Sequence, residues 1–224
     1  RRQRQMCIRD RCIEKALPGC QPIYYIYDRA DNPILSQDGI QRTKNEWSFT
    51  LYDMLGRVVV TGFIQTQSSR ELLADKYKET LFRASLTQNC SPDLNKKDNL
   101  FGYETSVLSG YGVKVLIVNY YDRYDFLSFE LFRYRDMDYV KDISFGTKHD
   151  SAQGLLTGSY IRQLDDLGKG EFAVHYYDVN GREVQRRSCL LPYGHSDYTW
   201  AKYNFIGQPL YVKYKHSSVY GIYP

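Results

Sequence analysis

The sequence predicts a mainly β fold: repeated antiparallel β-hairpins forming a curved or twisted open sheet, with one inserted amphipathic helix near residues 69–85. Three observations predict it. The motif Tyr-Asp-x-x-Gly-Arg occurs at Tyr52-Asp53-Met54-Leu55-Gly56-Arg57 and again at Tyr177-Asp178-Val179-Asn180-Gly181-Arg182. Looser copies begin at Tyr27-Asp28 and Tyr203-Asn204, so Tyr27 to Tyr52 spans 25 residues and Tyr177 to Tyr203 spans 26. A fixed period of this size marks units that are stable only when stacked on neighbours. Aromatic and β-branched runs flank the motifs, and a helix start signal stands at Ser68 to Glu71.

In residues 13–64 each copy reads as strand, turn, strand. The entering strands are Ile23–Tyr27 and Trp47–Tyr52, and Val58–Thr61 is the clearest returning one. Asp at the first turn position can accept a hydrogen bond from the backbone N–H two residues on, and Gly at the fourth position supplies φ > 0. Alanine at Gly56 or Gly181 should cost about 1 kcal/mol or more. Arg57 and Arg182 can lie beside their own Asp or stack on a tyrosine face. An exposed pair of that kind is worth only about 0–1 kcal/mol. With 22 tyrosines in 224 residues, several rings are available per repeat, enough to build much of the core.

Residues 65–153 read as an elaborated repeat or an insertion. Ser68 as N-cap with Glu71 at N3 starts a helix, and Leu73, Tyr77 and Leu81, broadened by Leu72 and Ala84, give it an apolar stripe about four turns long. A polar loop over residues 93–99 follows, then a strand over Val113–Tyr121. Phe126–Phe132 is apolar and fits strand or helix, and residues 133–153 are polar and irregular. Residues 154–224 return to repeats, with Phe172–Tyr177 entering a clean corner.

The motif and its period resemble the Rhs/YD-repeat family of large secreted or surface proteins. Leu35–Gly39, Asn119–Phe126 and Gly154–Gly158 are similar to a Bacteroidota-type subgroup, and the likeness covers roughly residues 13–224. Asp31-Asn32 stands where the first copy should have Gly-Arg. In the last copy Asn204 replaces Asp and Gln208 replaces Arg, so these two hairpins have room for other turns. The resemblance implies a shell of β-hairpins that encloses or presents a C-terminal effector. It also implies neighbouring repeats of the same longer chain as partners, and a secreted or cell-surface location.

Charge and chemistry narrow the function further. The net charge of +4 lies wholly in residues 1–12; the other 25 basic and 25 acidic residues cancel, so no phosphate footprint and no nucleic-acid partner are expected. That opening stretch resembles translated sequencing-adapter read-through and is expected to be a non-native or disordered tail. There is no apolar run long enough to span a membrane, and no signal peptide is read at the start. Cys20, Cys90 and Cys189 are too scattered for a disulfide framework or a metal signature.

Candidate chemistry reads as absent. Asp93, Asn95 and Glu104 fit a calcium loop only in part, because Lys97 and Asp98 stand where a ligand and a glycine are needed. Gly110-Tyr111-Gly112 reads as a turn, and Asp165-Asp166 as a hairpin turn. Asn89-Cys90-Ser91 satisfies a glycosylation sequon. None of His149, His175, His195 and His216 pairs at metal-ligand spacing. Gly194-His195-Ser196-Asp197 is the best acid–base candidate, but polar turn chemistry is the favoured reading of the same four residues. The expected site is therefore structural: Tyr27, Asp28, Tyr52, Asp53, Gly56, Arg57, Tyr177, Asp178, Gly181, Arg182, Tyr203 and Gly207. No catalytic residue, metal or cofactor is expected. The alternative is a carbohydrate- or protein-binding adhesion module, with Trp47 and Trp200 as stacking platforms.

Overall fold

The computed structural model describes residues 11–87, 99–129, 132, 137–164, 169–191 and 195–217. The fold is mainly β, with an eleven-stranded antiparallel sheet that does not close into a barrel. The chain divides into two compact units, Arg1–Ser85 with Thr105–Lys114, and Leu86–Glu104 with Val115–Pro224. The sequon at residues 89–91, the turn expected at residues 165–166 and the polar, calcium-like loop at 93–99 fall wholly or largely outside the described residues.

In the first unit, β1 (Glu14–Lys15), β2 (Ile23–Tyr27), β3 (Pro33–Gln37), β4 (Glu46–Tyr52) and β5 (Val58–Gln65) pair antiparallel in chain order. Strand alternation puts Trp47, Phe49 and Leu51 on one face of β4, opposite Ile64, Gly62 and Val60 of β5. Between β3 and β4 lies a helix that the sequence reading did not contain, α1 (Gly39–Thr43). Asp38 and Gln41 close a reciprocal capping box at its start.

The inserted helix is present but shorter than expected. It is α2 (Arg70–Tyr77), and its N-cap is Ser69, whose hydroxyl accepts from the Leu72 N–H; Ser68 lies one residue outside. Leu73 and Tyr77 are buried, whereas Leu72 and Leu81 are exposed. The helix stops because the chain beyond it satisfies other backbone groups. The Arg29 N–H donates to the Thr80 carbonyl, Tyr52 N–H to Phe82 and Ala84 N–H to Tyr52. Those partners belong to corners whose bulges leave backbone groups unpaired in the ladder.

A short ladder joins β6 (Ser85–Leu86) to β7 (Tyr103–Glu104). In the second unit, the Val115–Asp122 part of β8 (Gly112–Asp122) is followed by β9 (Ala152–Arg162), β10 (Gly170–Tyr177), β11 (Glu183–Leu191), β12 (His195–Tyr203) and β13 (Pro209–Ser217), again in chain order. The ambiguous apolar stretch resolves as a 3₁₀ turn, Asp125–Ser128. It delivers Phe126 onto Tyr120, with ring centroids 4.3 Å apart, and Phe132 stacks on Phe172 at 3.9 Å. Gly158 permits this approach: a Cβ there would lie 2.5 Å from the Phe126 ring. Residues 137–150 then run over β11 as a strap. The Gln185 side-chain amide pairs with both backbone groups of Val140, at 3.0 Å each, as a neighbouring strand would.

Candidate functional site

All four motif copies fold into the same corner, including the two that depart in sequence. In each, the first-position N–H, counted from the Asp or Asn, donates to the carbonyl of the fifth residue: Asp28 to Asn32, Asp53 to Arg57, Asp178 to Arg182 and Asn204 to Gln208. The fourth-position N–H returns a bond to the first carbonyl, and the side-chain Oδ1 accepts from the third and fifth backbone N–H groups at 2.8–3.1 Å. The fourth residue is left-handed throughout, with φ of +80° at Gly56, +73° at Gly181, +87° at Gly207 and +64° at Asp31. Aspartate tolerates that region better than most residues, so the first copy keeps its corner without glycine. The fifth residue closes the corner through Oδ2: Arg57 Nε and Arg182 Nε each lie 2.6 Å from their own Asp, and the Asn32 amide replaces them on Asp28 at 3.2 Å.

The tyrosine does not serve its own corner. It reaches back to the preceding unit. Tyr52 Oη donates to the Pro33 carbonyl (2.8 Å) and Tyr203 Oη to the Glu183 carbonyl (2.9 Å). In both, the acceptor is the residue immediately after the preceding corner. Burial pushes the Tyr52 and Tyr203 phenols up, with the carboxylates of Asp28 and of Glu183 and Asp178 respectively adding to it. The hydroxyls thus stay protonated donors across the physiological range. The arginine complements this contact: the Arg182 guanidinium lies 5.4 Å from the Tyr203 ring centroid and donates to the Asn204 carbonyl at 2.9 Å. The repeat period is therefore the chain length needed to bring one corner's tyrosine onto the previous corner's exit.

That rule exposes a fifth corner. Tyr177 Oη donates to the Leu156 carbonyl at 2.7 Å. Leu156 follows Gly154-Leu155, and its ladder partner is Tyr121, which precedes Asp122. Tyr27–Pro33, Tyr52–Val58, Tyr177–Glu183 and Tyr203–Pro209 are the matching partners elsewhere, each beside the same register shift. Asp122 Oδ1 accepts from the Gly154 N–H at 2.7 Å, and Gly154 has φ +82°. Residues 123–153 thus stand between the first position, Asp122, and the fourth, Gly154, of one more Tyr-Asp corner.

The same geometry appears at the start of the described chain. Tyr27 Oη donates to the Cys12 carbonyl at 2.9 Å, and Arg11 sits 5.4 Å from the Tyr27 centroid, as Arg182 does over Tyr203. Arg11 and Cys12 thus make toward Tyr27 the contacts that Arg182 and Glu183 make toward Tyr203. The expected tail therefore contributes at least these two residues to the fold, while residues 1–10 lie outside the described part.

No known family model matches the chain, and no curated protein is significantly similar to it.

The remaining candidate residues do not converge. Asp197 on β12 pairs with His216 on β13, Oδ1 to Nδ1 at 2.5 Å, and Ser196 points to the opposite face of its strand by alternation. The His195 side chain lies outside what is described. His175 pairs with Glu183 across β10 and β11, and His149 Nδ1 meets the backbone of Ser151. Among the described residues no group of three or more His, Cys, Asp or Glu is placed to hold a metal ion. No helix there is long and apolar enough to cross a membrane. Trp47 is 1% exposed and Trp200 7%, so their ring faces are used inside the sheet. Trp200 stacks on Tyr198 with centroids 5.9 Å apart.

Sequence reasoning missed Arg83. It reaches Asp28 Oδ2 at 3.4 Å, the carboxylate oxygen that Arg182 occupies on Asp178, and its guanidinium lies 5.7 Å from the Tyr52 centroid. The Phe82 N–H adds a further bond to that same oxygen. Arg83 thus takes both tasks of the arginine that the first copy lacks. Its only sequence signal is the pairing of a missing Arg at Asn32 with an unassigned Arg after α2.

Proposed function

We propose that the chain is a non-catalytic structural segment of a secreted or surface protein of the Rhs/YD-repeat type, contributing β-hairpins to a repeat wall that encloses or presents a C-terminal effector. The observation that carries this reading is the tyrosine hydroxyl seated on the exit carbonyl of the preceding corner. A recurrent bond between successive copies is what an extensible array needs and what a self-contained binding site does not. The polar groups of the motif support it as well, since Asp, Arg and Tyr are all engaged in closing and joining corners.

Limited proteolysis of the parent gene product tests the proposal. A wall predicts that the repeat region and the effector behind it resist cleavage together, and that breaking corners by Asp53→Ala with Asp178→Ala releases the effector to protease. An effector cleaved equally fast in both proteins would reject the wall. A change in tryptophan fluorescence on adding polysaccharides to the chain alone would favour the adhesive alternative.

A further inference from the structure

The two residues after the exit residue are core residues in the inner copies. Ile34 and Leu35, Val59 and Val60, and Val184 and Gln185 are each no more than 1% exposed. Their counterparts in β13, Leu210 and Tyr211, are 53% and 67% exposed, and Pro209 to His216 are exposed throughout. These residues carry the apolar character of a covered strand without the cover. β13 pairs with β12 along its inner edge and stands last in the sheet order, so among the described residues no strand of the sheet lies along its outer edge beside Pro209 to Tyr211. The exit carbonyls that receive a tyrosine belong to residues 12, 33, 156 and 183, and the equivalent of these in the last corner is Pro209.

We infer that the outer edge of β13 is a docking site for one kind of partner: an antiparallel strand ending in a Tyr-Asp corner of this repeat type, whose tyrosine hydroxyl seats on the Pro209 carbonyl. The inference rests on the structural reading above and continues an interface that the chain already builds internally. The incoming strand covers Leu210 and Tyr211 as β4 covers Leu35 and β12 covers Gln185. Self-pairing of two β13 edges is disfavoured, because pairing through the middle of the strand sets Lys213 against Lys213 or Lys215, like charges across a ladder.

The full chain is titrated with a synthetic hairpin of residues 169–191, and hydrogen exchange is followed at the amides of residues 210–217. In a second arm the full chain carries a duplicate of residues 195–217 fused after Pro224, which removes any need for the peptide to fold alone. Docking predicts slowed exchange on alternate β13 amides in both arms. The Tyr177→Phe hairpin should bind roughly fivefold more weakly, as expected for one lost hydrogen bond. Unchanged exchange in both arms overturns the proposal, as does binding indifferent to Tyr177→Phe. Protection that grows with protein concentration and without hairpin assigns β13 to a second copy and also overturns it. Tyr203→Phe in the full chain checks the underlying reading separately: a lowered melting temperature upholds the internal bond whatever the hairpin does.

Discussion

A tyrosine in this chain is a ring and a hydroxyl with separate addresses: the ring packs in the sheet and the hydroxyl ties two units together. Tyr177 shows the consequence for pH. Burial, aided by the Glu183 carboxylate, pushes its phenol from an ordinary 10.0 up to about 12. The folded-state value lies above the unfolded one, so the contribution to stability is complete below pH 10 and is lost as pH rises through 12. Melting temperature measured from pH 8 upward should hold steady and then fall across that window, in step with tyrosinate absorbance. Tyr177→Phe should flatten that fall. The corner glycines make a second, sharper case. Around Gly56 nothing lies within 4 Å of an added Cβ, and at Gly181 the nearest atom is a Leu155 methyl at 3.6 Å. Space does not demand glycine at either position; φ does. Gly181→Ala should therefore cost about 1 kcal/mol or more in urea unfolding, and Gly181→Asn should recover most of it, since asparagine enters the left-handed region more readily.

At the scale of the element, the first hairpin shows how a corner survives the loss of its arginine. Asp28 has a fully buried side chain, and a buried carboxylate needs its hydrogen bonds. Arg83 supplies one of them from the segment after α2 while lying over Tyr52. Arg83→Ala should cost about 1.5–3 kcal/mol, the range for a hydrogen bond to a charged group. Adding Asn32→Arg, which restores the motif's arginine, should return at least half of that loss. The double-mutant cycle in urea measures this, and strict additivity of the two changes would refute the substitution of roles. The same pairing marks the limit of what the sequence reveals. The corners were legible because Asp, Gly and Arg act within six residues. Arg83 was not, because its partner is 55 residues away and no local pattern records the contact. The corner at Tyr121-Asp122 was hidden for a related reason: residues 123–153 separate its Asp from its Gly, so no short template matches. The helix was overdrawn because the spacing of Leu73, Tyr77 and Leu81 looks continuous, whereas the backbone groups of Arg29 and Tyr52 draw the chain out of the helix after Tyr77.

Across the whole molecule, the logic that joins corners also sets where stability resides. Every strand of the large sheet pairs with its neighbours in chain order, so each hairpin depends on the units beside it more than on a distant core. Hairpins flanked on both sides bury their returning strands, as β5 and β11 do, while β13 leaves its apolar residues in water. The aromatic plate of Phe126, Phe132 and Phe172 and the Gln185 strap add further weight to β10 and β11 in the second unit. A chain built this way should not open all at once. Native-state hydrogen exchange should resolve a gradient: amides of the β12–β13 hairpin should exchange through openings of low free energy, and those of β10–β11 through the largest opening in that unit. Tyr203→Phe should lower protection in β12 and β13 while leaving β10 nearly unchanged, because the lost bond joins the last corner to the exit of the one before it. A single opening free energy shared by β10 to β13, moved equally by that substitution, would show a globally cooperative core and would contradict nearest-neighbour stacking as the source of the fold's stability.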